Sequence, residues 1–208
     1  MFTKGATRFE PQPGTALQMN GKPVVAGPIR DNQDVFSIGT VRFNLIRRGA
    51  RVAVRVRDSE SDSRKKFTHL NWYAPDPSWR IEAKWIPFPQ PKTLSFQTVI
   101  AGLREEMQAP GTAIFERAGK TYRLEPVVED KELFYVFRDQ TAGKTTYAAA
   151  RYVYSDLPKD GKVIIDFNKA TSPPCAFTSY ATCPLPPPQN RLALAITAGE
   201  TLYGTSKH

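Results

Sequence analysis

Two carboxylates and two guanidiniums are the groups in this chain best suited to chemistry: Asp166 and Glu200, with Arg151 and Arg191 near them in sequence. Carboxylates gathered at one strand end can exchange protons, and an arginine beside them can clamp an anion through paired N–H donors. A hydrolase- or lyase-type site using Asp166 and Glu200 is therefore one expectation. The competing explanation is structural, because irregular chain leaves many backbone groups to satisfy and Asp, Asn and Arg side chains satisfy them. Asp139 and Thr141, in Asp139-Gln-Thr141-Ala-Gly143, carry the same turn-closing expectation.

Cys175 and Cys183 are the chain's two cysteines. Their spacing fits no zinc knuckle, and only His69 and His208 could complete a tetrahedral set, so no metal is expected. In an oxidising compartment a disulfide would close a short loop and stabilise by about 2.5 kcal/mol on the chain-entropy model. In a reducing one, two buried thiols are expected. A nucleophilic cysteine needs a base nearby, and a single internal histidine lends that little support.

His69 lies in Phe67-Thr-His-Leu-Asn-Trp72-Tyr73, ahead of Pro75-Asp-Pro77. Aromatic residues beside a histidine can line a ligand pocket, although a histidine bonded to a backbone carbonyl is the plainer explanation. No phosphate-binding loop, dinucleotide glycine pattern, nucleophile elbow or HExxH occurs, which removes most readily named enzyme classes, and no cofactor is expected.

The elements that must position these groups are strands. Trp79-Arg-Ile81-Glu-Ala83-Lys-Trp85 alternates apolar and charged residues, the mark of a half-buried strand. Residues 38–57 read as a hairpin turning at Arg47-Arg-Gly49-Ala50, with Val52, Val54 and Val56 inward and Arg51, Arg55 and Arg57 outward. Further strands are expected at 94–100, 112–117, 121–128, 133–138, 145–154, 162–167 and 192–197, with 99–108 as a helical alternative to part of the first. Leu133-Phe-Tyr-Val-Phe137 is apolar on both faces and predicts a central strand. Turn residues at short, regular intervals between β-branched and aromatic runs point to an all-β sandwich or barrel. The long link after 162–167 contains six prolines between Pro173 and Pro188, which excludes regular helix or sheet. Phe177 and Tyr180 argue for order, so residues 169–191 read as a strap across the β structure, with Pro184 to Pro188 in polyproline conformation.

With 40% hydrophobic and 24% charged residues, 208 residues form ordinary globular material large enough for a substantial core. No run approaches the roughly 18 apolar residues of a membrane span, and Met1 to Glu10 lack the apolar heart of a signal peptide, so a cytoplasmic location is expected. The net charge of +9 is concentrated: residues 42–66 hold nine basic groups against three acidic ones. Arg42, Arg47, Arg48, Arg51, Arg55 and Arg57 could attract polyanions, nucleic acid included, and weak non-specific binding is the most they predict.

Several stretches taken together resemble one family. They are Arg47-Arg48-Gly49 with Val54-Arg-Val-Arg-Asp58, Trp72-Tyr-Ala-Pro75, Phe137 to Tyr147, Ala150-Arg151-Tyr152, and Asp166-Phe-Asn168. The last leads into Pro173-Pro-Cys-Ala-Phe-Thr178, Cys183-Pro-Leu-Pro-Pro187, Asn190-Arg-Leu192 and Ala198-Gly-Glu200. These resemble the prokaryotic domain-of-unknown-function 1684 family from about residue 17 onward, with an N-terminal part shorter than is usual there. The resemblance implies no activity. Met19 to Val24 and Phe36 to Gly39 are more weakly similar to the closing strands of a forkhead-associated sandwich. The arginine and Ser-x-x-His on which phosphopeptide binding depends in that fold are missing, so that function does not carry over.

The sequence thus predicts an N-terminal β module over 1–58 packed on a larger β-barrel or sandwich over 59–208. The leading functional expectation is a ligand-binding or interaction module with a site under the strap, lined by His69, Trp72, Tyr147, Asn168, Cys175, Tyr180 and Asn190. Its ligand would be a small molecule or a protein.

Overall fold

The computed structural model describes residues 7–48 and 51–204; the turn Gly49-Ala50 and the side chains of Arg48 and Arg51 lie outside the described residues. The chain is all-β and divides into two compact units, Met1–Phe67 and Thr68–His208, so residues 59–67 fall with the first.

The first unit contains β1 (Thr7–Phe9), β2 (Gln18–Met19), β3 (Lys22–Pro23), β4 (Gly27–Ile29), β5 (Phe36–Ile38), β6 (Val41–Arg48) and β7 (Arg51–Asp58), followed by the one-turn helix α1 (Asp62–Lys65). β1 pairs with β4, and the others form an antiparallel sheet in the order β3-β2-β5-β6-β7. Its small core is Leu17, Ile29 and Phe36, with Phe36 packed 4.7 Å from Phe9 and 5.0 Å from Phe43. The expected hairpin is present, with Phe43 opposite Val56 and Leu45 opposite Val54. The inward valines are a correction: Val54 is 54% exposed and Val56 60%. They lie on the same sheet face as Phe43 and Leu45, but β7 is the edge strand and the few apolar side chains of this unit are spent before reaching it.

The second unit contains β8 (Arg80–Gln97), β9 (Arg104–Arg117), β10 (Lys120–Leu124), β11 (Val127–Glu129), β12 (Glu132–Phe137), β13 (Arg151–Ser155) and β14 (Lys162–Asp166). They form two antiparallel sheets, β10-β9-β8-β14 and β11-β12-β13. β12 is the central strand its composition predicts, buried on both faces. Leu133, Tyr135 and Phe137 join Ala83, Trp85, Phe115 and Ile165 in one core. Phe134 and Val136 join Leu94, Phe96, Cys175 and Cys183 in another.

One hairpin supplies both cores because β8 and β9 bend. The ladder shifts register between Pro87 and Lys92, where Pro87, Pro89 and Pro91 cannot donate. At the bend Gly111 is required, since a Cβ there would come within 2.5 Å of both the Ile86 carbonyl and the Trp85 ring.

Other expectations are revised. Residues 99–102 form a turn and 104 onward is β9, not helix. The run 121–128 breaks between β10 and β11, and 145–150 is irregular. Residues 192–197 form no ladder; they run beside the end of β12, where Leu192 N–H donates to Arg138 O at 2.7 Å and Gln140 N–H to Leu194 O at 2.9 Å.

The strap is ordered and largely internal. Short 3-10 turns occur at Phe167–Lys169, Pro174–Ala176 and Pro188–Asn190. Thr171 exchanges two hydrogen bonds with Tyr152 of β13, and Leu185 N–H donates to Gln97 O at the end of β8 at 2.7 Å. Cys175, Ala176 and Cys183 thereby complete the second core.

Candidate functional site

Arg151 opens β13 with its side chain 1% exposed. A bare guanidinium cannot be left there without partners. Its Nη1 donates to Ala198 O, and its Nη2 donates to Ile196 O at 2.9 Å and lies 3.2 Å from Asp139 Oδ2. Asp139 also accepts the Ile196 N–H at 2.6 Å and the Thr141 hydroxyl at 2.9 Å, and Thr141 in turn meets Thr146 at 2.8 Å. Burial pushes the Arg151 pKa down, against the pull of Asp139.

Glu200 is only 2% exposed and accepts the Ser172 N–H at 3.1 Å. Burial pushes its carboxyl pKa up, and the Ser172 N–H and the charge of Arg151 pull it back. Three atoms of this centre have no hydrogen-bond partner: Arg151 Nε, Ser172 Oγ and Glu200 Oε1. Gly199 holds the adjoining backbone at φ +80°, where a Cβ would meet Ala170 O at 2.5 Å and Phe167 O at 2.8 Å.

Of the four groups expected to do chemistry, the structure brings Arg151 and Glu200 into one buried set, with Asp139 as the third charge. Asp166 instead closes its own 3-10 turn, accepting from Asn168 N at 3.1 Å and Nδ2 at 3.0 Å. Arg191 is exposed, its Nε donating to Pro186 O at 3.3 Å.

The expected ligand-binding residues divide in the same way. Asn190 is fully buried: its Nδ2 donates to Glu125 O and Val136 O, each at 3.0 Å, and its Oδ1 accepts Glu125 N–H at 2.8 Å. Asn168 exchanges hydrogen bonds with the Asp76 backbone at 3.0 and 2.9 Å, joining the strap's start to the 67–77 loop. Tyr147 is buried and donates to Cys175 O at 3.0 Å. Cys175 and Cys183 are buried free thiols, with Cys175 N–H donating to Cys183 Sγ at 3.2 Å.

His69, Trp72 and Tyr180 face solvent, Trp72 at 46% and Tyr180 at 92% exposure. The backbone beneath Trp72 is nonetheless fixed: Trp72 bridges to Glu200, Tyr73 N–H donates to Gly199 O at 3.0 Å, and Thr201 N–H donates to Asn71 O at 2.8 Å. The Tyr73 hydroxyl bonds the Thr145 hydroxyl. From the strap, Phe177 packs 5.3 Å from Tyr203 on the same C-terminal segment.

Ser172, Thr146 and the charge role of Asp139 were not read from the sequence. They lie far from Glu200 along the chain, and no local spacing pattern ties them together.

A family model described as a protein of unknown function (DUF1684) matches residues 65–201, and the chain belongs to that family. The match spans nearly all of the second unit. Among solved structures, the chain is similar to the solution NMR structure of an uncharacterised protein from Haloarcula marismortui. The two are 31% identical with a TM-score of 0.56, over 70% of this chain and 81% of that one. No curated protein matches. Among the described residues no helix is long and apolar enough to cross a membrane.

Proposed function

We propose that this protein is a non-enzymatic binding or interaction module, with its site where the 169–191 strap approaches the 67–77 loop through the C-terminal segment 199–203. One observation supports this above others: the backbone beside Trp72 is pinned by hydrogen bonds, yet Trp72 faces solvent, as does Tyr180 on the loop of the strap. Rigid, exposed aromatics give large contact area at low entropic cost, as at the anchor positions of binding surfaces. Trp79 and Trp85 are buried, so a ligand-induced change in tryptophan emission would report on Trp72. The test is a fluorescence screen of small molecules and peptides on the parent and on Trp72→Phe, followed by affinities for Trp72→Ala and Tyr180→Ala. Binding lost about tenfold or more in both alanine variants, with unchanged melting, is expected for anchor residues of this kind. A ligand whose affinity ignores both would refute it.

Hydrolase- or lyase-type chemistry is a second possibility, favoured by Glu200, a buried carboxyl with a raised pKa near Arg151. Against it, Arg151 is bonded to backbone carbonyls and Asp139, while Asp166 and Arg191 are engaged elsewhere. Weak polyanion binding is a third: Arg42, Arg55 and Arg57 are exposed on one sheet face, beside buried Asn44. On that face Arg57 reaches Asn44, whereas Arg47, on the other face, pairs with Asp31.

A further inference from the structure

The two cysteines remain unused by any of these functions, and their arrangement is more specific than burial requires. Cys175 sits on the Pro174–Ala176 turn, and the strap then loops out through Tyr180 and returns to place Cys183 beside it. The Cys175 N–H points at Cys183 Sγ from 3.2 Å. Two tyrosines hold the backbone on either side, Tyr147 through Cys175 O at 3.0 Å and Tyr152 through Pro184 O at 3.2 Å. A backbone nitrogen this close to the opposite sulfur leaves little movement between the present state and a disulfide.

We infer that Cys175 and Cys183 form a thiol–disulfide exchange site for low-molecular-weight disulfides, with Cys183 as the attacking sulfur and Cys175 as the resolving one. The Cys183 thiolate attacks one sulfur of the small disulfide, forming a mixed disulfide and releasing one small thiolate. Cys175 then gives up its proton and attacks Cys183 Sγ, forming the 175–183 bond and releasing the second small thiolate. Two protein thiols are oxidised and one small disulfide is reduced to two thiols, so atoms and electrons balance.

The roles follow from which sulfur is solvated by the protein. The neighbouring Cys175 thiol and the Cys175 N–H that Cys183 Sγ accepts bring its pKa down to about 7, against burial and the charge of Glu105. The same neighbouring thiol, together with burial, pushes Cys175 up. Thiolate attack is most effective when the attacking thiol titrates near ambient pH. Both sulfurs are buried, Cys183 at 6% exposure, so attack requires the loop between the cysteines, which carries the 92%-exposed Tyr180, to open. Closing the bond would tie off the segment that carries Phe177 and Tyr180, although the exchange chemistry does not depend on the binding function proposed above.

The experiment incubates the reduced, full-length protein with oxidised glutathione under native conditions and follows it by intact mass and non-reducing peptide mapping. The parent is expected to lose two hydrogens and give a single cross-linked 175–183 peptide. Cys175→Ser should accumulate one glutathione adduct on Cys183, while Cys183→Ser should acquire its adduct on Cys175 at least about tenfold more slowly. Limited alkylation of the parent with iodoacetamide gives the same assignment without a variant, and Cys183 should label first. A parent that reacts only after unfolding, equal rates in the two variants, or Cys175 labelling first would each overturn the assignment.

Discussion

The hairpin of β6 and β7 and the strap of 169–191 reverse the usual association between regular structure and core. The hairpin has an unbroken ladder from Val41–Asp58 to Arg48–Arg51, yet Val54 and Val56 stand mostly in water. The strap has no ladder, yet it buries Cys175, Ala176, Cys183 and Asn190. A ladder satisfies backbone groups locally and needs no core behind every residue. Irregular chain can enter a core only if other groups take over its hydrogen bonds, and here Tyr147, Tyr152 and Glu200 do so, while the strap's own Asn190 bonds the backbone of Glu125 and Val136. The strap's polar residues are accordingly its structural centre, whereas Arg55 and Arg57 of β7 are solvated.

The sharpest way to break this contrast is to remove the buried cation. Arg151→Ala leaves Asp139 buried without its counter-charge and the carbonyls of Ile196 and Ala198 without their donor. Denaturant unfolding should show a loss of about 3–5 kcal/mol, the range for breaking a buried pair from one side. A loss below about 1 kcal/mol would mean that the C-terminal segment does not depend on this centre.

Glu200→Gln separates charge from shape. A carboxyl whose folded pKa lies above its unfolded value stabilises the folded state when protonated; that contribution is full below the unfolded pKa and is lost as pH rises through the folded one. The glutamine variant lacks this loss, so its stability relative to the parent should rise with pH across the carboxylate range. Asp34, held well below the usual carboxylate range chiefly by its hydrogen bonds with Arg30, acts oppositely in both proteins. Its stabilisation is present above the unfolded pKa and disappears as acid is added. Thermal melts of parent and variant at matched pH isolate the Glu200 part. A difference that falls with rising pH would contradict the assignment.

On β7, Val54→Thr and Val56→Thr should each change stability by no more than about 0.5 kcal/mol, the usual range for exposed positions. A larger loss would show that the exposed valines are covered in solution.

This contrast also explains what the sequence did and did not reveal. Two-residue alternation located β8 through Trp79 to Trp85, and an apolar run without alternation identified β12 as central. Each depends on a pattern within a few neighbouring residues. The exposure of Val54 and Val56 was hidden because alternation specifies which face a side chain takes, not whether anything covers that face. The strap was legible as ordered from its prolines and aromatics, and backbone accounting pointed to pinning by Asp166, Asn168 and Arg191, each of which bonds nearby backbone. Residues 192–197 carry apolar side chains like a strand, but their partners are single bonds to Arg138 and Gln140 and a buried arginine, which no local pattern encodes. The centre of Arg151, Asp139 and Glu200 was only partly visible for the same reason, since it joins three distant segments.

Native-state hydrogen exchange tests the central claim most directly, because it reads backbone protection residue by residue in both regions. Amides of Thr171, Ala176, Leu185, Leu192 and Ile196, all bonded in the structure, should exchange about as slowly as those of β12. The amides of β7 that point away from β6 should exchange rapidly. Fast exchange along the strap, at rates like those of the β7 edge, would contradict the account.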